Sequence, residues 1–196
     1  MMRRIARGFV VAIVCGAGMR LVLAQGQVVK ATVRNGSPNW SKGIVPIDRD
    51  SYYSAMECGK QGGDNPACVF WDTGFCKNPE FEMTFYTGYK SVAYAVWDAV
   101  HQKKPAPTPD YAEAQRTRVT VAVRPLRPKD NAVVDAYVKR DKKVLPPVAR
   151  ATTAVDSRFT FDYPTWAATQ DIDLEIVGKK RPALCRIDKS QLERMR

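Results

Sequence analysis

Histidine is almost missing from this chain, with one residue, His101, in 196. That excludes sites that need two or more histidines, including HExxH metalloproteases and three-histidine zinc centres. No apolar run reaches the roughly 18 to 20 residues that span a bilayer, which excludes a polytopic membrane protein. No CxxC pair is present, so zinc-knuckle spacing is absent. Without CxxCH there is no c-type haem attachment. Without GxSxG there is no nucleophile elbow. Gly59-Lys60 lacks the spacing and hydroxyl of a phosphate-binding loop, and its surroundings lack the carboxylates of an EF-hand. Hydrophobic residues at 45% and charged residues at 26% exclude disorder along the whole length.

The N-terminus carries an export pattern. Arg3, Arg4 and Arg7 form a basic head, and Gly8 to Met19 is apolar. Val22-Leu23-Ala24 places small residues where a signal peptidase reads, so residues 1–24 read as a cleaved signal peptide. An uncleaved anchor is the alternative, and the run is short for one. The expected location is therefore secreted or periplasmic. Removing 1–24 takes four arginines and no acid, and the net charge falls from +11 to +7. A basic exported chain favours anionic partners, such as an envelope polymer or the surface of a membrane. A solvated charged face is the plainer explanation.

Cys58, Cys68, Cys76 and Cys185 remain after cleavage, an even number in an oxidising compartment. Of the three pairings, each bonds Cys185 to one of the other three. Two intrachain bridges therefore mean one local bridge within 58–76 and one that closes more than 100 residues. By the chain-entropy relation the long loop contributes on the order of 4 to 5 kcal/mol.

Gln27 to Val33 is β-branched and reads as a strand. Residues 48–80 read as a loop-rich stretch around Gly59, Gly62, Gly63 and Pro66. Phe81, Met83 and Phe85 alternate with polar residues as in a half-buried strand. Tyr89, Val92, Ala93, Val96, Trp97 and Val100 recur at helical spacing up to about Gln102. Three prolines at 105, 107 and 109 predict an extended linker, with a turn of helix at Tyr111–Gln115. Five strands follow: the alternating run at Val119–Val123, then Val133–Val138, Phe159–Tyr163, Ile172–Val177 and Leu184–Ile187. A terminal helical turn is expected at Lys189–Arg196.

The expected fold class is α+β. A disulfide-stapled strand and helix unit at 25–102 precedes a linker at 103–116 and a small antiparallel sandwich at 117–196. At the level of fold alone, 117–196 resembles the immunoglobulin-like modules of exported bacterial proteins, a resemblance that implies no activity.

Candidate site residues are few. Tyr52, Tyr53 and Trp71 beside the glycine-rich loop suggest an aromatic platform for sugar or peptide. Lys139-Arg140-Asp141-Lys142-Lys143 and Lys179-Lys180-Arg181 read as charged hairpin turns that form an anion-binding patch if the sandwich brings them together. His101 at a helix C-terminus is explained by the helix dipole. Asp72, Glu80, Glu82 and Asp98 are the carboxylates for glycosidase-type chemistry. Asn35 and Asn39 sit in glycosylation sequons.

The reading is a non-enzymatic exported binding or accessory module without a cofactor. Its expected partner is a protein or an anionic envelope polymer, with peripheral contact to a membrane surface; the export signal disfavours nucleic acid. The alternatives are a carboxylate enzyme acting on glycan and a subunit holding a non-covalent cofactor through His101 or a methionine.

Overall fold

Alternation of apolar and polar residues sets the sheets. In β1 (Phe81–Tyr86) the side chains of Phe81, Met83 and Phe85 point inward. In β2 (Arg118–Pro125) Val119, Val121 and Val123 do the same. The two strands pair antiparallel, with Phe81 opposite Pro125 and Phe85 opposite Val121. This computed structural model describes residue 44, residues 46–112, residue 114 and residues 117–196. The expected signal peptide, the strand at 27–33 and both sequons lie outside the described residues, as does part of the turn at 111–115.

Among the described residues eight strands form two antiparallel four-stranded sheets, a mixed α+β architecture. The others are β3 (Val133–Arg140), β4 (Lys143–Leu145), β5 (Ala149–Thr152), β6 (Ser157–Asp162), β7 (Ile172–Gly178) and β8 (Ala183–Ile187). The sheet orders are β1-β2-β6-β5 and β4-β3-β7-β8. β4 and β5 add to the five expected strands, and β1 crosses the proline segment to join them. The inner faces share one core. Phe85 and Phe161 each meet Trp166 edge-on at 5.6 Å, and Trp166 is fully buried in a 3-10 turn at Tyr163–Trp166. Val138, Leu174, Ile176 and Ile187 close that core from the second sheet. Each such side chain contributes roughly 1.5 to 3 kcal/mol by leaving water.

Residues 48–80 are not loop throughout. α1 (Arg49–Lys60) buries Tyr52, Ala55, Met56 and Gly59, the spacing of one helical face. Asp48 caps it, accepting from the Ser51 N–H at 2.7 Å. α2 (Gly88–His101) follows β1 at once, and the Thr87 hydroxyl caps it by accepting from Lys90 N–H at 3.1 Å. The helices meet at Gly59, where a Cβ would collide with the Ala93 carbonyl and the Val96 side chain. A second core of Tyr52, Met56, Val69, Ala93 and Val96 forms between them. The proline segment folds back on α1, where Asp110 N–H donates to Tyr52 Oη at 2.7 Å.

The bridges are Cys58–Cys68, local, and Cys76–Cys185, which joins the loop before β1 to β8. α3 (Lys189–Arg194) ends the chain with a capping box between Asp188 and Gln191. All described residues fall within one compact unit. None of their helices is long and apolar enough to cross a membrane.

Candidate functional site

The two basic turns do not meet. Lys142 lies in the two-residue turn between β3 and β4, where Asp141 and Lys142 have φ of 48° and 64°, and Lys143 opens β4. Lys179, Lys180 and Arg181 join β7 to β8. Lys139 pairs with Asp173 and Val133 with Gly178, so six residues of β3 separate the two turns. At ~3.3 Å per residue that is about 20 Å. The turn at 139–142 faces a surface of mixed sign with Asp171, Asp173 and Arg186.

A different loop joins the 179–181 hairpin. Asn131, almost fully buried, accepts from the Lys180 N–H at 3.0 Å through Oδ1 and donates to the Arg181 carbonyl at 3.1 Å through Nδ2. The Lys179 N–H adds a 2.7 Å bond to the Ala132 carbonyl. Gly178 leaves room for this staple, since a Cβ there would strike Asn131 Oδ1. The loop so held carries Arg127, Lys129 and the exposed Asp130. One end of the sandwich therefore presents Arg127, Lys129, Lys179, Lys180 and Arg181. Arg181 is neutralised by Glu80 at 2.6 Å. The other four are exposed, with no carboxylate among the described residues within ion-pair reach.

Beside this end runs a groove of about 920 Å3, between β1, α2 and the loop 65–79 that both bridges anchor. Lys77 and Leu126 line it where it approaches Arg127, and Phe70, Tyr86 and Tyr94 line it further along. On the wall of the groove Lys90 and Asp72 form a buried ion pair. Asp72 Oδ2 also accepts from the Phe85 N–H at 2.7 Å. Lys90 Nζ lies over the Trp71 ring at 5.4 Å and the Tyr86 ring at 5.6 Å. Burial pushes the Lys90 amine below its ordinary value, against the opposing pull of the Asp72 charge. Burial likewise raises the Tyr86 phenol, helped by Tyr94.

The expected aromatic platform is divided. Tyr52 is buried between Tyr53 and Tyr111, edge-on to both. Tyr53 is exposed on α1. Trp71 packs against Phe75 on another side of the loop, with its indole N–H buried and without a hydrogen-bond partner among the described residues. His101 lies on Trp97, centroids 4.1 Å apart, at the end of α2. Each candidate carboxylate is engaged: Asp72 by Lys90, Glu80 by Arg181, Glu82 by Arg124 and Asp98 by Gln102.

Sequence reasoning missed Arg127, Lys129, Asn131 and Lys90. Leu126–Asn131 is plainly polar, but nothing local says which hairpin it docks on. Lys90 sits beside Tyr89 on the helix stripe, where a lysine among apolar positions was the available signal. Comparison of the chain with protein-family models, with curated proteins and with solved structures gives no significant match.

Proposed function

We propose that this protein is an exported, non-enzymatic binding module of the cell envelope that holds an anionic polymer on the basic end of its sandwich. In this reading residues 1–24 are a cleaved signal peptide and the sandwich is an immunoglobulin-like module. Two disulfides support the oxidising compartment. The observation that carries the reading is the Asn131 staple. It holds two loops, 50 residues apart in sequence, so that four exposed cations share one end. Four exposed cations against the single carboxylate of Asp130 on these two loops leave an excess of positive charge, which raises the local concentration of a polyanion and binds it by releasing its counter-ions. Asp72, Glu80, Glu82 and Asp98 are each held by a partner, which weakens the glycan-hydrolysing alternative.

The test is equilibrium binding of the mature protein to polyphosphate and to polygalacturonate at low salt. Wild type binds at least one, and its affinity falls steeply as salt rises. Replacing Lys179 and Lys180 with glutamate lowers affinity by at least about tenfold, equivalent to 1.4 kcal/mol. Failure of wild type to bind either polymer, or binding unchanged by the reversal, overturns the reading.

A further inference from the structure

The Lys90–Asp72 pair is an unusual use of two charges. The Lys90 side chain is 1% exposed and that of Asp72 5%. Lys90 Nζ has three N–H donors and, among the described residues, one oxygen acceptor, Asp72 Oδ1; the rings of Trp71 and Tyr86 lie on its other sides. Withdrawing both charges from water costs several kcal/mol per ion, and one contact between them offsets this poorly. Transfer of a proton from ammonium to carboxylate leaves a neutral amine against a neutral acid in an apolar, water-poor site.

We propose that Lys90 and Asp72 condense spontaneously to an intramolecular amide. The Nζ lone pair attacks Asp72 Cγ, and an Nζ–Cγ bond forms. Negative charge then develops on Oδ2, where the Phe85 N–H already donates at 2.7 Å. The Cγ–Oδ1 bond breaks, and Oδ1 leaves as water with its own proton and one from the nitrogen. The balance is one ammonium and one carboxylate giving one secondary amide and one water. No oxidant, metal or co-reactant enters. Contact between the two groups before reaction supplies the orientation that bimolecular amide formation lacks. The lowered basicity of the buried amine favours its nucleophilic form. The product replaces two buried charges with a neutral amide. It also ties the loop to α2 at a third point, between the attachments of Cys68 and Cys76.

The experiment is the intact mass of the mature protein after reduction and denaturation, which removes the disulfides from the comparison. Wild type is expected to be lighter than its sequence by the mass of one water. Trypsin should then fail to cut after Lys90 and release residues 61–77 joined to residues 78–103. The Lys90→Arg and Asp72→Ala variants should show the full sequence mass, including when recovered from denaturant. Wild type at full mass, with free peptides ending at Lys77 and Lys90, overturns the proposal and leaves a plain ion pair. A loss of water that persists in Lys90→Arg overturns it equally, because the water then comes from elsewhere.

Discussion

The two disulfides close loops of very different length, and their removal should separate by a measurable amount. Cys58–Cys68 closes 10 residues and Cys76–Cys185 closes 109. The chain-entropy relation gives about 2.7 kcal/mol for the first and about 4.8 kcal/mol for the second. Burial does not confound the comparison. In each bridge one cysteine is about 5% exposed (Cys58 and Cys185) and the other is partly buried. The loss of sulfur from the core is therefore matched when both cysteines of a pair become alanine. The Cys76→Ala/Cys185→Ala variant should be the less stable of the two by about 2 kcal/mol. Each kcal/mol shifts the melting temperature of a unit this size by roughly 2–4 °C, so the two variants differ by about 4–8 °C. Guanidinium denaturation followed by tryptophan fluorescence reads the same difference in midpoint, with the slope checked for constancy. Equal losses, or a larger loss for Cys58→Ala/Cys68→Ala, would refute the claim that the long bridge acts by restricting the unfolded chain.

Three other outcomes follow from particular contacts. Trp166→Ala empties the centre of the sandwich and should cost about 3–5 kcal/mol, read as a fall in denaturation midpoint. Asn131→Ala leaves the Lys180 N–H and Arg181 carbonyl without their partner. It should cost about 1–3 kcal/mol and also weaken polyanion binding, whereas loss of stability with unchanged binding contradicts the staple. Burial pushes Asp135 up, but hydrogen bonds from Arg150, Tyr137 and the Ala136 N–H outweigh it and hold the acid below its ordinary range. Its stabilisation is therefore present above the ordinary carboxylate range and lost as pH falls through the lowered value. Asp135→Asn should flatten the acid limb of the stability profile, and an unchanged slope argues against this pair.

Much of the fold was legible because burial writes a period into sequence. Phe81, Met83 and Phe85 spelled β1, Val119 to Val123 spelled β2, and Tyr89 to Val100 spelled α2. β5 left no such mark, since all four of its residues are exposed and nothing alternates. α1 was hidden by the glycines and cysteines at its end, although Tyr52, Ala55, Met56 and Gly59 carry its period. The site was less legible than the fold. Lys179 to Arg181 stood out as a charged turn, but their neighbours Arg127 and Lys129 arrive through a tertiary contact of Asn131. The expected union with Lys142 and Lys143 failed because strand register put the two turns at opposite ends of β3. Asp72 was visible as a carboxylate, yet its role depends on Lys90, 18 residues away on another element.

The most direct test of the binding account compares two charge reversals of equal size at opposite ends of one strand. Lys179→Glu/Lys180→Glu alters the basic end, and Lys142→Glu/Lys143→Glu alters the distant hairpin. Both change the net charge of the protein equally. Affinity for the polymer that wild type binds is then measured across a range of salt. The account predicts that the first variant loses at least about tenfold in affinity and shows a shallower salt dependence, while the second stays within about twofold of wild type. Equal losses in the two variants would contradict it, because binding would then follow total charge and not the end that Asn131 assembles.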